Sequence, residues 1–251
     1  MARDATFPAA ARRTSTWSWL HRLTGDVNRT LMSVAIVAGL LFVALSVGVA
    51  LHPAPFFFDH PIEVAVQSVN GQAFAWFNSF VSAFSGFVGL GVGAAVIVIT
   101  FLLFRPATPL VAFSAIYSVV YNVVNIMIRR PRPTGVAHTT SKLLGYSYPS
   151  GHVGFFVWLS VLAMVLLARR LPRPLYVASW FLAAMLVAAA GLSRIYVGAH
   201  WPSDVIGGFL VGVAWTCLSL SLGRLSKPVF EADHRRTPAT AARSTSGSGD
   251  R

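Results

Sequence analysis

Three short polar segments interrupt an otherwise apolar sequence, and they contain residue types that can handle a phosphate group. They lie at 129–133 (RRPRP), 149–152 (PSGH) and 193–204 (SRIYVGAHWPSD). Each borders a long apolar run, and the two later segments each place a histidine beside small or cationic residues. We interpret the three segments as parts of one phosphate-handling site at a membrane surface.

The segment at 149–152 predicts the beginning of a helix. Ser150 is of a type favoured as an N-cap, and the free N–H groups of a helix N-terminus, together with the helix dipole, bind anions. Gly151 lets an anion approach the backbone closely. His152 then lies at the edge of the site, where it could donate a proton to a leaving oxygen. The alternative is an ordinary capped helix with an incidental interfacial histidine.

His200 and Asp204 stand four residues apart at the beginning of the last apolar run. Pro202 suits the first helical position, so Asp204 falls in the first turn and can reach one imidazole nitrogen of His200. The other nitrogen is then available as a base or a nucleophile. Between Glu63 and Glu231 the sequence has no other carboxylate, and a carboxylate beside a membrane span needs a partner. The alternative is that Asp204 only stabilises the start of its helix through the helix dipole, and that His200 lies beside it incidentally.

The scarcity of carboxylates argues against a divalent-metal phosphatase, which needs several carboxylates or a denser set of His and Asp ligands. Two histidines and one carboxylate could bind a single metal ion, but Arg132 and Arg194 would then have no role. Guanidinium groups match the oxygens of a phosphoryl group. The sequence therefore predicts metal-free phosphoryl transfer on a histidine, with no cofactor.

The composition is that of a membrane protein. Of the 251 residues, 55% are hydrophobic and 11% are charged, whereas a soluble domain carries roughly 25% charged residues. A hydrocarbon core about 30 Å thick needs roughly 20 helical residues. Apolar runs of about that length lie at 31–51, 86–104, 109–128, 153–168, 175–192 and 205–222. We predict an all-α integral membrane protein with six transmembrane helices.

The predicted domain organisation is a basic N-terminal tail at 1–30, a six-span membrane domain at 31–223 and a disordered basic C-terminal tail at 224–251. The aromatic-rich stretch at 61–85 is more typical of an interfacial helix than of a span. The loop before the second segment, which contains Tyr148, is expected to be solvated.

The placement of Lys and Arg predicts the orientation. With six spans the two tails share a side, and that side carries most of the 20 Lys and Arg residues. The positive-inside rule then places both termini in the cytoplasm and the polar segments on the extracytoplasmic face of the inner (plasma) membrane. The net charge of +12 follows the same distribution, so we expect anionic membrane lipids, and no nucleic acid, as partners.

The three segments resemble the signature of the type 2 phosphatidic acid phosphatase (PAP2) family, whose histidine-phosphatase fold is shared with vanadium haloperoxidases. The family pattern reads Lys-x6-Arg-Pro, then Pro-Ser-Gly-His, then Ser-Arg-x5-His-x3-Asp. The second motif matches at 149–152 and the third at 193–204, with identical spacing. The resemblance implies a PAP2- or haloperoxidase-like helical bundle.

The resemblance also implies roles for the site residues. His200 would be the nucleophile that forms a phosphohistidine, with Asp204 orienting it, and His152 would be the general acid for the leaving group. The phosphoryl oxygens would be held by Arg132, Arg194, Ser150 and the amide of Gly151.

The first motif departs from the family pattern. Its end matches at Arg132, but Asn125 stands where the family usually has lysine. Asparagine can donate a hydrogen bond but carries no charge. Arg129 or Arg130 is a candidate to replace the lysine.

The predicted function is that of a membrane lipid phosphatase. Its substrate would be a lipid phosphate or diphosphate of the phosphatidic acid, phosphatidylglycerol phosphate or polyprenyl diphosphate class. The alternatives are a lipid phosphotransferase that uses the same site and a non-catalytic lipid-binding or transport protein. A serine hydrolase built on Ser150 would leave the arginines without a role, and Ser150 lacks the context of a nucleophile elbow.

Overall fold

A computed structural model describes residues 24–69, 72–84, 86–134, 145–168 and 170–234. Within these ranges the chain is helical, with one isolated antiparallel bridge between Val27 and Leu222. A short 3-10 turn at Arg105–Ala107 precedes the fifth α-helix. The α-helices are α1 (Arg29–Leu51), α2 (Asp59–Gln67), α3 (Gln72–Ala83), α4 (Gly86–Leu103), α5 (Thr108–Ala115), α6 (Tyr117–Ile128), α7 (Gly151–Leu167), α8 (Arg173–Tyr196), α9 (Pro202–Ser221) and α10 (Gly223–His234).

The described helices confirm the prediction of an all-α membrane protein. Four helical segments are long and apolar enough to cross a membrane, namely Arg29–Leu51, Arg105–Ile128, Arg173–Tyr196 and Pro202–Ser221. A fifth candidate is a pair of helices, Ala75–Ala83 and Val88–Leu103, bent by 66°. Helix α7 is apolar but has 17 residues, a length of about 25 Å at 1.5 Å per residue. Helix length therefore does not confirm the predicted count of six.

Helices α7 and α9 cross at glycines, which allows their backbones to approach closely. A Cβ atom at Gly208 would lie 2.2 Å from the carbonyl oxygen of Ser150, and one at Gly212 would lie 3.0 Å from Cβ of Val157. At the same crossing the Ser150 N–H donates to the Asp204 carbonyl at 3.0 Å. Because both helices begin at this contact, their first turns lie side by side.

Tyr148 packs between helix α1 and helix α9. Its side chain is buried, its ring stacks on Phe42, and its hydroxyl group hydrogen-bonds with Ser46 at 2.9 Å. A Cβ atom at Gly207 would lie 2.6 Å from the Tyr148 ring. The expectation that this residue is solvated is therefore wrong, because α1 covers the loop from the side.

The C-terminal tail at 224–251 is predicted to be disordered. Its first part instead forms helix α10. Val229 is buried, and Leu225 packs with it against Leu110 and Leu220. The composition of this segment is mostly polar and does not predict a helix. Its apolar contacts with the membrane helices therefore hold it in place. Residues 1–23 and 235–251, the remainder of the two predicted tails, lie outside the described residues.

We expect Gly208→Ala to separate α7 from α9 and to destabilise the protein by about 1–3 kcal/mol, since the added methyl group has no room. The measurement is thermal unfolding in detergent. Gly39→Ala is the matched control, because a Cβ atom at Gly39 meets nothing within 4 Å. Equal unfolding temperatures for the two variants would contradict the close crossing.

Candidate active site

The loop at 145–150 fixes the imidazole of His200. Its Nδ1 lies 2.6 Å from the carbonyl oxygen of Ser147, and since a carbonyl can only accept, Nδ1 carries the proton. Ser147 is held in turn, because its N–H donates to the Arg130 carbonyl at 2.9 Å and its hydroxyl group donates to the Pro131 carbonyl at 3.0 Å. The Nε2 atom of His200 is therefore left with its lone pair, as a nucleophile requires.

Asp204 lies beside His200, but its closest contacts are with other groups. The distance from Asp204 Oδ2 to His200 Nδ1 is 3.8 Å, too long for a hydrogen bond. Instead Oδ2 accepts the Trp201 N–H at 2.8 Å, and Oδ1 accepts from Arg130 Nη1 at 2.6 Å. The direct hydrogen bond of the His200 imidazole is therefore to the Ser147 carbonyl and not to Asp204.

Arg130 is fully buried and connects three segments of the chain. Its Nη1 donates to Asp204 and to Ser203 Oγ at 2.7 Å, and its Nη2 donates to Asp59 Oδ2 at 2.9 Å. Its Nε donates to the carbonyl of Pro53 at 3.2 Å. Phe56 and Trp201 lie over its guanidinium at 5.7 and 5.8 Å. We name Asp59, Arg130, Ser203 and Asp204 the buried ion network.

The second carboxylate of this network, Asp59, was not predicted from the sequence. Asp59 is completely buried, and its Oδ1 accepts the Ser203 N–H at 2.8 Å. Prolines and aromatic residues surround it in the sequence, a composition more typical of a loop than of a buried ion pair. Its position at the beginning of helix α2 was the available signal, although a helix-start aspartate is usually exposed.

Four groups from the three polar segments converge on one another. Burial lowers the pKa of His200 well below its ordinary value, and the positive charges of Arg132 and Arg194 and the neighbouring His152 lower it further. The same two arginines interact electrostatically with His152. Arg132 spans two segments, since its Nε donates to the Gly145 carbonyl at 3.2 Å and its Nη1 to the Ala199 carbonyl at 2.5 Å.

Two buried polar atoms of this cluster have no hydrogen-bond partner among the described residues. They are Oγ of Ser150 and Nε of Arg194, in side chains that are 0% and 2% exposed. A buried polar group without a partner is costly. Both atoms can donate to an oxygen of a bound anion. We therefore regard the cluster of His152, His200, Arg132, Arg194 and Ser150 as the candidate active site.

Gly151 and Asn125 have packing roles that the sequence did not reveal. A Cβ atom at Gly151 would lie 2.8 Å from the ring of Tyr121, so glycine is also needed for the contact between α6 and α7. Asn125 donates from Nδ2 to the carbonyls of Tyr146 at 3.1 Å and Tyr148 at 2.8 Å. It therefore shapes the loop that carries Ser147.

Neither candidate arginine replaces the missing lysine of the first motif. Arg130 belongs to the buried ion network. Arg129 is exposed and turns back on helix α6, where its Nε donates to the Ile126 carbonyl at 3.0 Å. Within the described ranges, no three His, Cys, Asp or Glu side chains are grouped so as to hold a metal ion.

A family model described as the PAP2 superfamily matches residues 106–226, the range that contains all three polar segments. The Undecaprenyl-diphosphatase of Sulfolobus acidocaldarius is 36% identical over 103 residues, which cover 41% of this chain and 41% of that protein. Undecaprenyl-diphosphatase BcrC of Bacillus subtilis is 30% identical over 129 residues, which cover 48% of this chain and 62% of that protein. The matches thus cover less than two thirds of either relative.

Two solved structures are similar in fold. One is a transmembrane PAP2 type phosphatidylglycerolphosphate phosphatase from Bacillus subtilis, with a TM-score of 0.61, 18% identity and coverage of 82% of this chain and 98% of that one. The other is Aquifex aeolicus LpxE, with a TM-score of 0.51, 22% identity and coverage of 66% and 96%. Together with the family model, these likenesses confirm the resemblance to the PAP2 superfamily.

We expect Arg130→Met to destabilise the protein by about 3–5 kcal/mol, because it leaves the carboxylates of Asp59 and Asp204 buried without their cation. Unfolding by heat or denaturant in detergent measures the effect. Arg129→Met is the matched control, since it removes the same charge from the neighbouring exposed position. Equal stability of the two variants would contradict the structural role of the buried ion network.

Proposed function

We propose that the protein is a membrane lipid phosphatase that hydrolyses a lipid phosphate or diphosphate through a phosphohistidine. The observation that carries this proposal is the convergence of His152, His200, Arg132 and Arg194 around two buried, unpartnered donors. Cationic and neutral donors surround a nucleophilic nitrogen there, an arrangement that suits a tetrahedral phosphoryl group.

In the proposed first step, Nε2 of His200 attacks the phosphorus atom, so that an N–P bond forms while the P–O bond to the leaving group breaks. His152 donates a proton to the leaving oxygen. Arg132, Arg194 and Ser150 Oγ, with the amide of Gly151, bind the equatorial oxygens. The hydrogen bond from Nδ1 to Ser147 stabilises the ring as it becomes cationic, and the nearby charge of Asp204 assists.

In the second step, water attacks the phosphohistidine. An O–P bond forms, the N–P bond breaks, and His152 accepts a proton from the attacking water, which restores the protonation state it had before the first step. The arginines remain in place through both steps. Their fixed positive charges therefore lower the barriers to formation and to hydrolysis of the phosphohistidine.

We propose a polyprenyl diphosphate as the first substrate to test. Both relatives are named undecaprenyl-diphosphatases, and the site contains two guanidinium groups, which match the charge of a diphosphate. Phosphatidylglycerol phosphate and phosphatidic acid are the comparison substrates. The protein would require no metal and no cofactor, and membrane lipids would be its remaining partners.

We also propose the predicted topology of six spans, with both termini in the cytoplasm and the site on the extracytoplasmic face of the plasma membrane. Two contacts support it. Asp59, in the segment that follows span one, reaches Arg130 and the start of α9, so these segments share a face. Val27 pairs with Leu222, which puts the start of α1 and the end of α9 on the other face.

We expect purified protein in detergent with EDTA to release phosphate from these lipids and His200→Ala to abolish turnover. Asp204→Asn should lower turnover by roughly two orders of magnitude or more, because the charge beside the nucleophile is lost. His52→Ala, at an exposed position, is the control for an unrelated histidine. Full activity of His200→Ala would contradict the mechanism, and an absolute metal requirement would do the same.

Further measurements distinguish a phosphatase from the alternative functions. A phosphotransferase would transfer the phosphoryl group to an added acceptor alcohol and release little free phosphate. A lipid-binding or transport protein would retain its function in His200→Ala. Labelling of Ser150 by a fluorophosphonate would instead indicate a serine hydrolase.

We expect Arg132→Gln to move the acidic limb of kcat/KM to higher pH. The positive charge of Arg132 lowers the pKa of His200. Its removal raises that pKa, so protonation inactivates the nucleophile at a higher pH than in the wild type. The measurement is the pH profile of both proteins on one substrate, so that titration of the substrate cancels. An acidic limb that does not move would contradict the proximity of Arg132 and His200.

A further inference from the structure

Helix α3 holds the guanidinium of Arg194 along one edge. Arg194 Nη2 lies 2.7 Å from Asn78 Oδ1 and 2.7 Å from Ser82 Oγ, and these are the shortest of its contacts. Ser193 Oγ at 2.9 Å and the Asn78 carbonyl at 3.3 Å are also within hydrogen-bond distance. Asn78 and Ser82 are four residues apart on a helix, so they share a face. Asn78 Oδ1 also accepts from the hydroxyl group of Ser193 at 2.7 Å, so one amide oxygen aligns two consecutive residues of the third motif.

Hydrophobic packing fixes the position of α3 independently of Arg194. Val81 is fully buried in the apolar core, and Phe77 packs against the same cluster. Phe84, just after the helix, lies 5.7 Å from the ring of Phe155 and 5.5 Å from that of Phe156 on helix α7. Asn78 and Ser82 are therefore presented to Arg194 by a helix that is already anchored.

One donor of the same guanidinium, the Nε–H group, is unsatisfied. Arg194 is 2% exposed, and its Nε has no hydrogen-bond partner among the described residues. The guanidinium is planar and its five N–H groups have fixed directions. Because Nη2 is held by α3, the direction of the Nε–H bond is determined as well. An arginine in this state is prepared to bind an anion through its Nε–H group.

We propose that Asn78 and Ser82 are positioning residues that aim Arg194 at the phosphoryl group, an inference that rests on the proposed function of the site. The neutral amide is essential to this role. A carboxylate at position 78 would hold the guanidinium as firmly, but it would neutralise the positive charge that the phosphoryl group needs. Asparagine orients the arginine and leaves its charge to the substrate.

The test compares Asn78→Asp, Asn78→Ala and Ser82→Ala with wild type. The control is Ser79→Ala, on the same helix, where the hydroxyl group contacts only the helix carbonyl of Ala75 among the contacts described. Orthovanadate, an analogue of a phosphoryl group in transit, is titrated against the thermal unfolding temperature in detergent to give its Kd. KM and kcat for a lipid phosphate are measured on the same preparations.

We expect Asn78→Asp to fold with an unfolding temperature close to that of wild type. It should bind orthovanadate roughly ten- to a hundredfold more weakly, because a carboxylate beside Arg194 offsets its positive charge and repels the anion. KM for the lipid phosphate should rise in parallel. Asn78→Ala and Ser82→Ala should weaken binding by smaller factors, about three- to tenfold each. Ser79→Ala should match wild type.

A purely structural role for Asn78 predicts the opposite result. The stronger ion pair in Asn78→Asp would then preserve or improve both stability and orthovanadate affinity, and that outcome would overturn the inference. Should Asn78→Asp fail to fold, the comparison of Ser82→Ala with Ser79→Ala decides, and equal affinities overturn the inference.

The two proposals fail in different ways. Wild-type protein that binds orthovanadate through this pair but hydrolyses no lipid phosphate contradicts the proposed function and leaves the positioning role standing. Lipid phosphate hydrolysis by wild type, with unchanged orthovanadate affinity in Asn78→Asp, contradicts the positioning role alone.

Discussion

A fully buried guanidinium tolerates few arrangements of its surroundings, and this constraint on Arg130 organises the membrane-surface end of the protein. Each of its donors needs an acceptor, and the carboxylates of Asp59 and Asp204 need its charge in return. Separating any of these segments would leave an unpaired charge away from water, at a cost of several kcal/mol. The backbone of Arg130 also holds Ser147, which holds His200. Arg130 therefore helps to orient the candidate nucleophile through Ser147, without a direct hydrogen bond to it.

Close packing sets the distance between His152 and His200. Glycines bring α7 and α9 together at their first turns, so His152 and Ser150 on one helix lie beside the loop that carries His200. Packing thus determines how near the two histidines come, and the ion network determines how the imidazole of His200 is turned. The arginines add a third constraint, since their charge favours a neutral imidazole and an anionic ligand in the same small space.

Several residues that support the site lie outside the three motifs. The PAP2 superfamily model matches residues 106–226, whereas Asp59, Asn78 and Ser82 precede that range. Asp59 contacts Arg130, and Asn78 and Ser82 contact Arg194.

Much of this protein was determined by the local sequence. Apolar runs specify helices at a membrane whatever their neighbours, so the predicted runs agree with the observed helices to within a few residues. The motifs predicted His152, His200, Arg132, Arg194 and Ser150 as site residues through their residue types and their resemblance to the PAP2 signature. Contacts between distant residues were decided by the tertiary structure alone. The chain has no local pattern that pairs Asp59 with Arg130 or Asn78 with Arg194, because such pairs depend on which helices pack together, and burial creates the need for a partner only after they have packed.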